Sequence, residues 1–215
     1  MRIGILGTGV VGEGIGQKLI ANGHEVRLGS RTPDNAKGHA WARAQGPKAS
    51  AGTFASTAEF GELLFNCTHG ESSIVALSAA GPANLGSKIL IDVANAFSFT
   101  NGAIQLAYSS SDSLGEHIQN TFPALKVVKA LNTLNVSLMV NPGALANGEH
   151  DLMMAGNDAD AKAAVRAFLT KEFGWKHFVD LGDIKGARAC EGWLSVWGRL
   201  YGTLKTPNFS MRVVK

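Results

Sequence analysis

Short apolar runs alternate with amphipathic segments over the first two thirds of the chain. Residues 2–7 form the first run, and Val11, Ile15 and Leu19 then recur at every fourth position, which places them on one helix face. Further strands are predicted at 24–28, 62–69, 88–97 and 125–133, and helices at 72–80 and 113–121. A loop and helix between the second and third of these runs would carry Pro33 in the first helical turn. Alternation of this kind predicts an α/β fold built on a doubly wound parallel sheet.

The pattern changes after Pro142. A strand and turn at 150–158, a helix at 158–170, a strand at 175–183 and a helix at 187–204 are predicted there. We therefore divide the chain into a dinucleotide-binding domain at 1–141 and a small C-terminal α/β appendage at 142–215, for substrate binding or dimerisation. One face of the last helix is typical of core or of a homodimer interface. Its residues are Cys190, Trp193, Trp197, Leu200, Tyr201 and Leu204.

A glycine motif follows the first predicted strand. The sequence GTGVVG at residues 7–12 fits G-x-G-x-x-G between a strand and a helix, the context that a Rossmann dinucleotide site requires. Gly7 permits the turn, Gly9 lets a pyrophosphate approach the backbone, and Gly12 lets the helix pack on the strand. Gly14 and Gly16 lie outside the motif, and we expect them to serve close packing of the helix on the sheet.

The end of the second strand distinguishes NADP from NAD. NAD sites place a carboxylate there, about 20 residues after the motif, to bind the ribose 2′-hydroxyl. This chain has Ser30, Arg31 and Thr32 instead, and Lys37 follows within about one helical turn. Hydroxyls and a guanidinium suit a 2′-phosphate, so the sequence favours NADP(H).

Composition excludes several classes of function. The 20 Lys and Arg residues exceed the 17 Asp and Glu residues by three, and they form no basic run of the kind that nucleic acid requires. Cys67 and Cys190 are far apart, so neither a disulfide scaffold nor a cysteine zinc site is expected, and the scattered histidines suggest no metal site. No apolar run reaches the roughly 18 residues of a membrane span, and no signal peptide is evident. We expect a cytoplasmic protein without a membrane or nucleic-acid partner.

Three stretches together resemble a known family. GILGTGVVGEGIGQKLIANGHEVRLGSR, IDVANAF and VVKALNTL resemble the coenzyme F420H2:NADP+ oxidoreductases, the deazaflavin-dependent NADP oxidoreductase family, over about residues 1–141. The resemblance continues more weakly through GARACEGWLSVWG. A related NADPH-binding domain occurs in six-transmembrane metalloreductases.

The resemblance implies a set of cofactor contacts along the carboxyl edge of the sheet. They are Gly7, Thr8, Gly9, Val10, Val11, Gly12, Ser30, Arg31, Thr32, Lys37, Thr68, His69, Ala94, Asn95, Ala130 and Asn132. Leu131 and Thr133 would complete the floor beneath the two rings. His69, Asn95 and Asn132 are the expected catalytic residues. Among them, His69 could bind the nicotinamide amide or donate a proton.

The expected activity is hydride exchange between NADP(H) and coenzyme F420 or a flavin, FMN or FAD. The family often has an apolar or Pro-containing turn where this chain has Cys67 to Glu71, and some deazaflavin reducers have His at the position of Asn132. Two alternatives remain open from the residues. One is an NADPH-dependent reductase of a small carbonyl or imine, and the other is an NADP(H)-binding sensor without turnover.

Overall fold

A computed structural model describes residues 1–100, 103–108 and 111–214. Ten strands lie in the described part: β1 (Arg2–Leu6), β2 (Glu25–Ser30), β3 (Ala49–Thr53), β4 (Leu63–Asn66), β5 (Ile89–Asp92), β6 (Phe97–Thr100), β7 (Ala103–Leu106), β8 (Lys126–Ala130), β9 (Asp151–Ala155) and β10 (His177–Asp180). The helices are α1 (Val10–Ala21), α2 (Ala36–Gln45), α3 (Phe54–Phe60), α4 (Ser73–Ala80), α5 (Pro82–Leu85), α6 (Leu114–Thr121), α7 (Val136–Val140), α8 (Ala159–Phe173) and α9 (Ala187–Leu204).

Eight strands form one sheet in the order β10-β9-β8-β5-β4-β1-β2-β3. Neighbours from β8 to β3 are parallel, β9 is antiparallel to β8, and β10 is parallel to β9. The chain leaves β1 in one direction for β2 and β3, and then returns to the other side for β4. The carboxyl ends of β1 and β4 therefore form the switch point where such sheets bind ligands. The predicted fold class is confirmed.

Apolar side chains from both faces of the sheet are buried. Ile3, Ile5 and Phe65 join one core cluster, whereas Leu6 and Leu64 join the other. Side chains of successive strand residues point to opposite faces, so strands covered on both sides must be apolar throughout. This requirement explains why the apolar runs were visible in the sequence.

The structure corrects several predicted elements. Pro33 lies outside α2, because Asn35 caps that helix by accepting a hydrogen bond from the Gly38 N–H at 2.8 Å. The strand predicted at 88–97 ends at Asp92, and Phe97 begins the separate hairpin of β6 and β7. The elements β3, α3, α7 and the hairpin were not predicted, since they are short and β3, an edge strand, carries little apolar sequence.

The C-terminal third continues the same sheet. Strands β9 and β10 extend it beyond β8, and α9 has the predicted bounds. The division at 141/142 stays a prediction. Within the described ranges, no helix is both long and apolar enough to cross a membrane.

Candidate functional site

The turn after β1 depends on Gly7. Its φ is +124°, and a Cβ there would lie 2.5 Å from the Cys67 carbonyl oxygen. The Gly7 N–H donates to the Gly29 carbonyl at 2.9 Å, which joins this turn to the end of β2. A side chain at this position would be strained and would also collide with the β4 loop.

Gly9 leaves an open approach to the N-terminus of α1. It is the N-cap residue, with φ −85° and ψ 174°, and no described atom lies within 4 Å of a Cβ built on it. The first N–H groups of α1, beginning at the exposed Val10, have no partner within the helix. Unpaired N–H groups and the positive end of the helix dipole together suit a phosphate group.

The remaining glycines of the opening stretch serve packing. A Cβ at Gly12 would lie 2.8 Å from the Gly7 carbonyl oxygen, so this helix does pack closely on the β1 turn. Gly14 and Gly16 face Val136 of α7 and Trp41 of α2 at 2.6 and 2.7 Å. They therefore pack mainly against neighbouring helices and not, as expected, on the sheet.

The end of β2 presents an exposed cation. Arg31 is exposed and forms no ion pair with any residue that the structure describes, while the Ser30 hydroxyl donates to the Thr32 carbonyl at 2.6 Å. Lys37 lies outside the cavity described next, and its ammonium is 3.4 Å from the Glu13 carboxylate. The structure thus brings the Ser30–Thr32 turn to the glycine loop, but it turns Lys37 toward α1.

A cavity of about 700 Å³ lies across the carboxyl ends of β1, β2 and β4. It is lined by Gly7, Thr8, Gly9, Gly29, Ser30, Arg31, Thr32, Asn35, Phe54, Cys67, Thr68, His69, Glu71, Ser72, Val75 and Ala76. Another groove, of about 660 Å³, lies along α8 and is bounded by Met154 of β9 and Asp180 of β10. It lacks the glycine turn and the open N-terminus of α1, so the first cavity is the candidate dinucleotide site.

The loop after β4 forms one wall of the cavity. The Thr68 hydroxyl donates to the Asn66 side-chain oxygen at 2.7 Å, and the exposed His69 ring lies 5.7 Å from the Phe97 ring. Gly70 packs closely on Ala96, because a Cβ added to Gly70 would lie 2.4 Å from the Cα of Ala96. Burial raises the pKa of the Cys67 thiol, so this residue is a poor nucleophile at neutral pH.

The residues predicted to form the floor beneath the rings lie mostly buried behind the cavity wall. Asn95 donates to the Asn132 carbonyl at 2.8 Å, and the Asn132 amide donates to the Asn95 side-chain oxygen at 2.9 Å and to the Cys190 carbonyl at 2.8 Å. Asn132 is 4% exposed, and Ala94 and Ala130 are buried as well. None of these four residues lines the cavity. The loop that carries His69 nevertheless contacts the Asn95–Asn132 pair, because the Gly70 N–H donates to the Asn95 carbonyl.

A charged cluster lies beneath the same loops. Lys129 is fully buried, with its ammonium 2.9 Å from the Asp92 carboxylate and 3.0 Å from that of Glu191. Burial alone would lower the pKa of Lys129, but the two carboxylates raise it above its ordinary value. The described residues contain no group of three His, Cys, Asp or Glu side chains that could hold a metal ion.

Two comparisons with known proteins decide the family. The family model for coenzyme F420-dependent NADP oxidoreductases matches residues 2–96. A crystal structure from Arthrobacter sp. FB24, of a protein provisionally named an F420-dependent NADP-reductase, is 45% identical, with a TM-score of 0.93 and coverage of 100% of both chains. The chain belongs to the coenzyme F420-dependent NADP oxidoreductase family. It is therefore an NADP-dependent oxidoreductase, and the resemblance inferred from its motifs is confirmed.

Two further proteins are more distantly similar to this oxidoreductase. The metalloreductase STEAP3 of Rattus norvegicus is 28% identical over 202 residues, which cover 88% of this chain and 36% of that protein. The chain thus spans little more than a third of this relative. A reductive aminase from Aspergillus terreus, solved with NADPH and ethyl-5-oxohexanoate, has a TM-score of 0.66 at 20% identity over 95% of this chain and 62% of that chain. This likeness shows the shared fold alone.

Some residues of the oxidoreductase's candidate site were not predicted. Asn35 and Phe54 line the cavity from helices whose starts the sequence pattern placed wrongly or missed. The partners of Lys129 were also missed, although a lysine inside an apolar strand run was a usable signal. A buried ammonium requires carboxylate partners, and Asp92 ends the neighbouring strand.

Proposed function

We propose that the cavity beside the glycine loop binds NADP(H) and that the protein exchanges hydride between this cofactor and coenzyme F420 or a flavin. The single observation that carries the NADP(H) assignment is the position of Arg31, and the proposed hydride partner is supported by the family to which the chain belongs. Arg31 lies at the end of β2, on the same cavity as the open N-terminus of α1, with no carboxylate among the described lining residues at that end. A 2′-phosphate at Arg31 and a pyrophosphate at Gly9 would satisfy both groups.

The residues present fit the cofactor. The space above Gly9 is one that a Cβ would fill, as expected where a pyrophosphate approaches the backbone. Bound NADPH would supply a hydride, which carries two electrons, and the acceptor would take its proton from solvent. The protein's tasks are then to bind, to orient the ring and to exclude water, so no catalytic triad is required. His69 stands where it could contact the nicotinamide end, at the β4 side of the cavity.

A rapid-mixing experiment tests this function. The protein is loaded with NADPH and mixed with oxidised F420, FMN or FAD, and the loss of NADPH absorbance is compared with the loss of absorbance of each oxidised acceptor. We expect the absorbance of F420 or of one flavin to fall as NADPH is consumed. His69→Ala should slow that transfer about tenfold, as the loss of one hydrogen bond to the nicotinamide would. Binding of NADPH without transfer to any of the three acceptors would contradict the proposed partner.

We also propose that the oxidoreductase is a homodimer that uses α9. Ala187, Cys190 and Glu191 near the start of α9 are buried. Farther along the helix, Val196, Tyr201 and Leu204 are 45%, 48% and 51% exposed, and Trp197 stacks on Tyr201 with ring centroids 5.3 Å apart. Such a patch on one helix suits a two-fold contact between copies. Sedimentation velocity is expected to show a dimer at micromolar concentration, and Val196→Glu to shift it to monomer. A wild-type monomer at that concentration would exclude the proposal.

A further inference from the structure

The ammonium group of Lys129 makes three contacts, one for each of its N–H bonds. It donates to the Asp92 carboxylate at 2.9 Å, to the Glu191 carboxylate at 3.0 Å, and to the Ala94 carbonyl. Lys129 and Asp92 are fully buried, and Glu191 is 7% exposed. A buried charge is tolerated only when its hydrogen-bonding capacity is filled in this way.

The three acceptors belong to different parts of the fold. Asp92 is the last residue of β5, and Ala94 lies in the loop that follows it. Glu191 belongs to α9, and it also accepts the first N–H groups of α6, from Leu114 at 2.9 Å and Gly115 at 3.1 Å. One lysine side chain therefore fixes the β5 loop relative to two helices.

Strand register connects this cluster to the cofactor cavity. Asn66, Asp92 and Lys129 are direct neighbours across β4, β5 and β8, so their side chains share one face of the sheet. The Asn66 amide donates to Asp92 at 2.8 Å, and the Asn66 oxygen accepts from Thr68, which lines the cavity. A continuous series of hydrogen bonds thus runs from the cavity wall to the ammonium group.

The residues beyond Lys129 are held in an unusual conformation. Leu131 has φ +68°, a left-handed value that costs a non-glycine residue of order 1–3 kcal/mol. This turn brings Asn132 to Asn95, and the second bond of its amide goes to the carbonyl of Cys190, next to Glu191. Asn132 therefore holds the side chain of Asn95, and Lys129 holds the carbonyl of the preceding residue, Ala94.

We propose that Lys129 is a positioning residue for the nicotinamide end of the cofactor. By holding the Ala94 carbonyl, it fixes the loop that carries Asn95 and the adjoining Thr68–His69 wall. From the β2 end, the cavity runs over β1 to the β4 wall, and β5 and β8 are the next strands in that direction. The inference rests on the proposed NADP(H) site, because that proposal places the nicotinamide on the side of β4, β5 and β8.

A purely structural role for the cluster makes different predictions. Removing one partner of a buried ion pair destabilises a fold, but it leaves the geometry of a distant ligand unchanged in the molecules that remain folded. A positioning role requires that the ring be held differently even when the fold is intact. The two roles are separated by probing each end of the cofactor on folded protein.

The test compares Lys129→Met with Lys126→Met. Lys126 lies on the same strand and makes an ion pair of similar length, 2.9 Å to Asp158, but it is at the surface. Calorimetry with 2′,5′-ADP, which lacks nicotinamide, measures the adenosine end. Calorimetry with NADPH, together with the induced circular dichroism of the bound nicotinamide band, measures the ring end. The same measurements are made on Glu191→Gln, which keeps the side-chain shape, so that the test remains possible if Lys129→Met does not fold.

For Lys129→Met we expect unchanged 2′,5′-ADP affinity, about tenfold weaker NADPH binding, as one mispositioned hydrogen bond would give, and loss of the induced dichroism. Glu191→Gln should change the same signals in the same direction, and Lys126→Met should change none. If the folded variants match wild type in both ring measurements and only melt earlier, the inference is wrong while the proposed function stands. If wild-type protein binds 2′,5′-ADP but shows no nicotinamide signal, the proposed function fails as well.

Discussion

Gly9→Ala is expected to fold like the wild type and to bind both NADPH and NADH roughly 30-fold more weakly. No described atom lies within 4 Å of the new methyl group, and the backbone angles of Gly9 suit an alanine. The cost to stability is therefore limited to the weaker N-cap, below about 1 kcal/mol. The methyl group would instead hold the pyrophosphate away from the helix N–H groups. Loss of one charge-assisted hydrogen bond is worth about 2 kcal/mol.

Two other glycines make this prediction specific. Gly202→Ala, on α9, has equally open surroundings and should leave the affinity unchanged, while the stability should stay the same or rise slightly because alanine favours a helix. Gly7→Ala should lower the melting temperature markedly, because φ is +124° and the methyl group would meet the Cys67 carbonyl. Thermal melting measures the stability of the three variants, and calorimetry measures their affinity for NADPH and NADH. Wild-type affinity in a folded Gly9→Ala protein would place the pyrophosphate elsewhere.

Local sequence signals predicted the first half of the candidate site. The glycine motif and the Ser30–Thr32 turn each depend on neighbouring residues, because a turn and a helix start are set by a few consecutive side chains. The structure shows that the glycine motif and the Ser30–Thr32 turn line one cavity, because β1 and β2 are parallel neighbours whose carboxyl ends lie side by side. Lys37 shows the limit of such signals. Its spacing suited a phosphate, but the rotation of α2 turns it toward Glu13.

The other half of the site depends on contacts between residues far apart in the chain. Lys129 and Glu191 are separated by 62 positions, and Asp92 is 37 positions from Lys129. No local pattern encodes such a cluster. The same holds for Asn132, which was predicted as part of the floor beneath the two rings. Its burial depends on α9, whose Cys190 carbonyl accepts one of its hydrogen bonds.

Arg31→Ala is expected to weaken NADPH binding about 30-fold and to leave NADH binding nearly unchanged. Charge-assisted hydrogen bonds of a guanidinium to a phosphate contribute about 2 kcal/mol, and only NADPH carries the 2′-phosphate. Arg31 is exposed and forms no ion pair within the described part of the chain, so its removal leaves no orphaned carboxylate there. Equal losses for both dinucleotides would indicate a general effect on the cavity and would contradict the assignment.

A pH series distinguishes a phosphate contact from general electrostatic attraction. A phosphate monoester loses its second charge as the pH falls through about 6, so an Arg31 contact should weaken there. Wild-type affinity for 2′,5′-ADP should therefore decline between neutral and mildly acid pH more steeply than that of Arg31→Ala. Arg43→Ala, on the exposed side of α2 away from the cavity, should follow the wild-type curve. Since both arginines contribute the same net charge, a difference between these two variants can come only from the position of Arg31 at the end of β2.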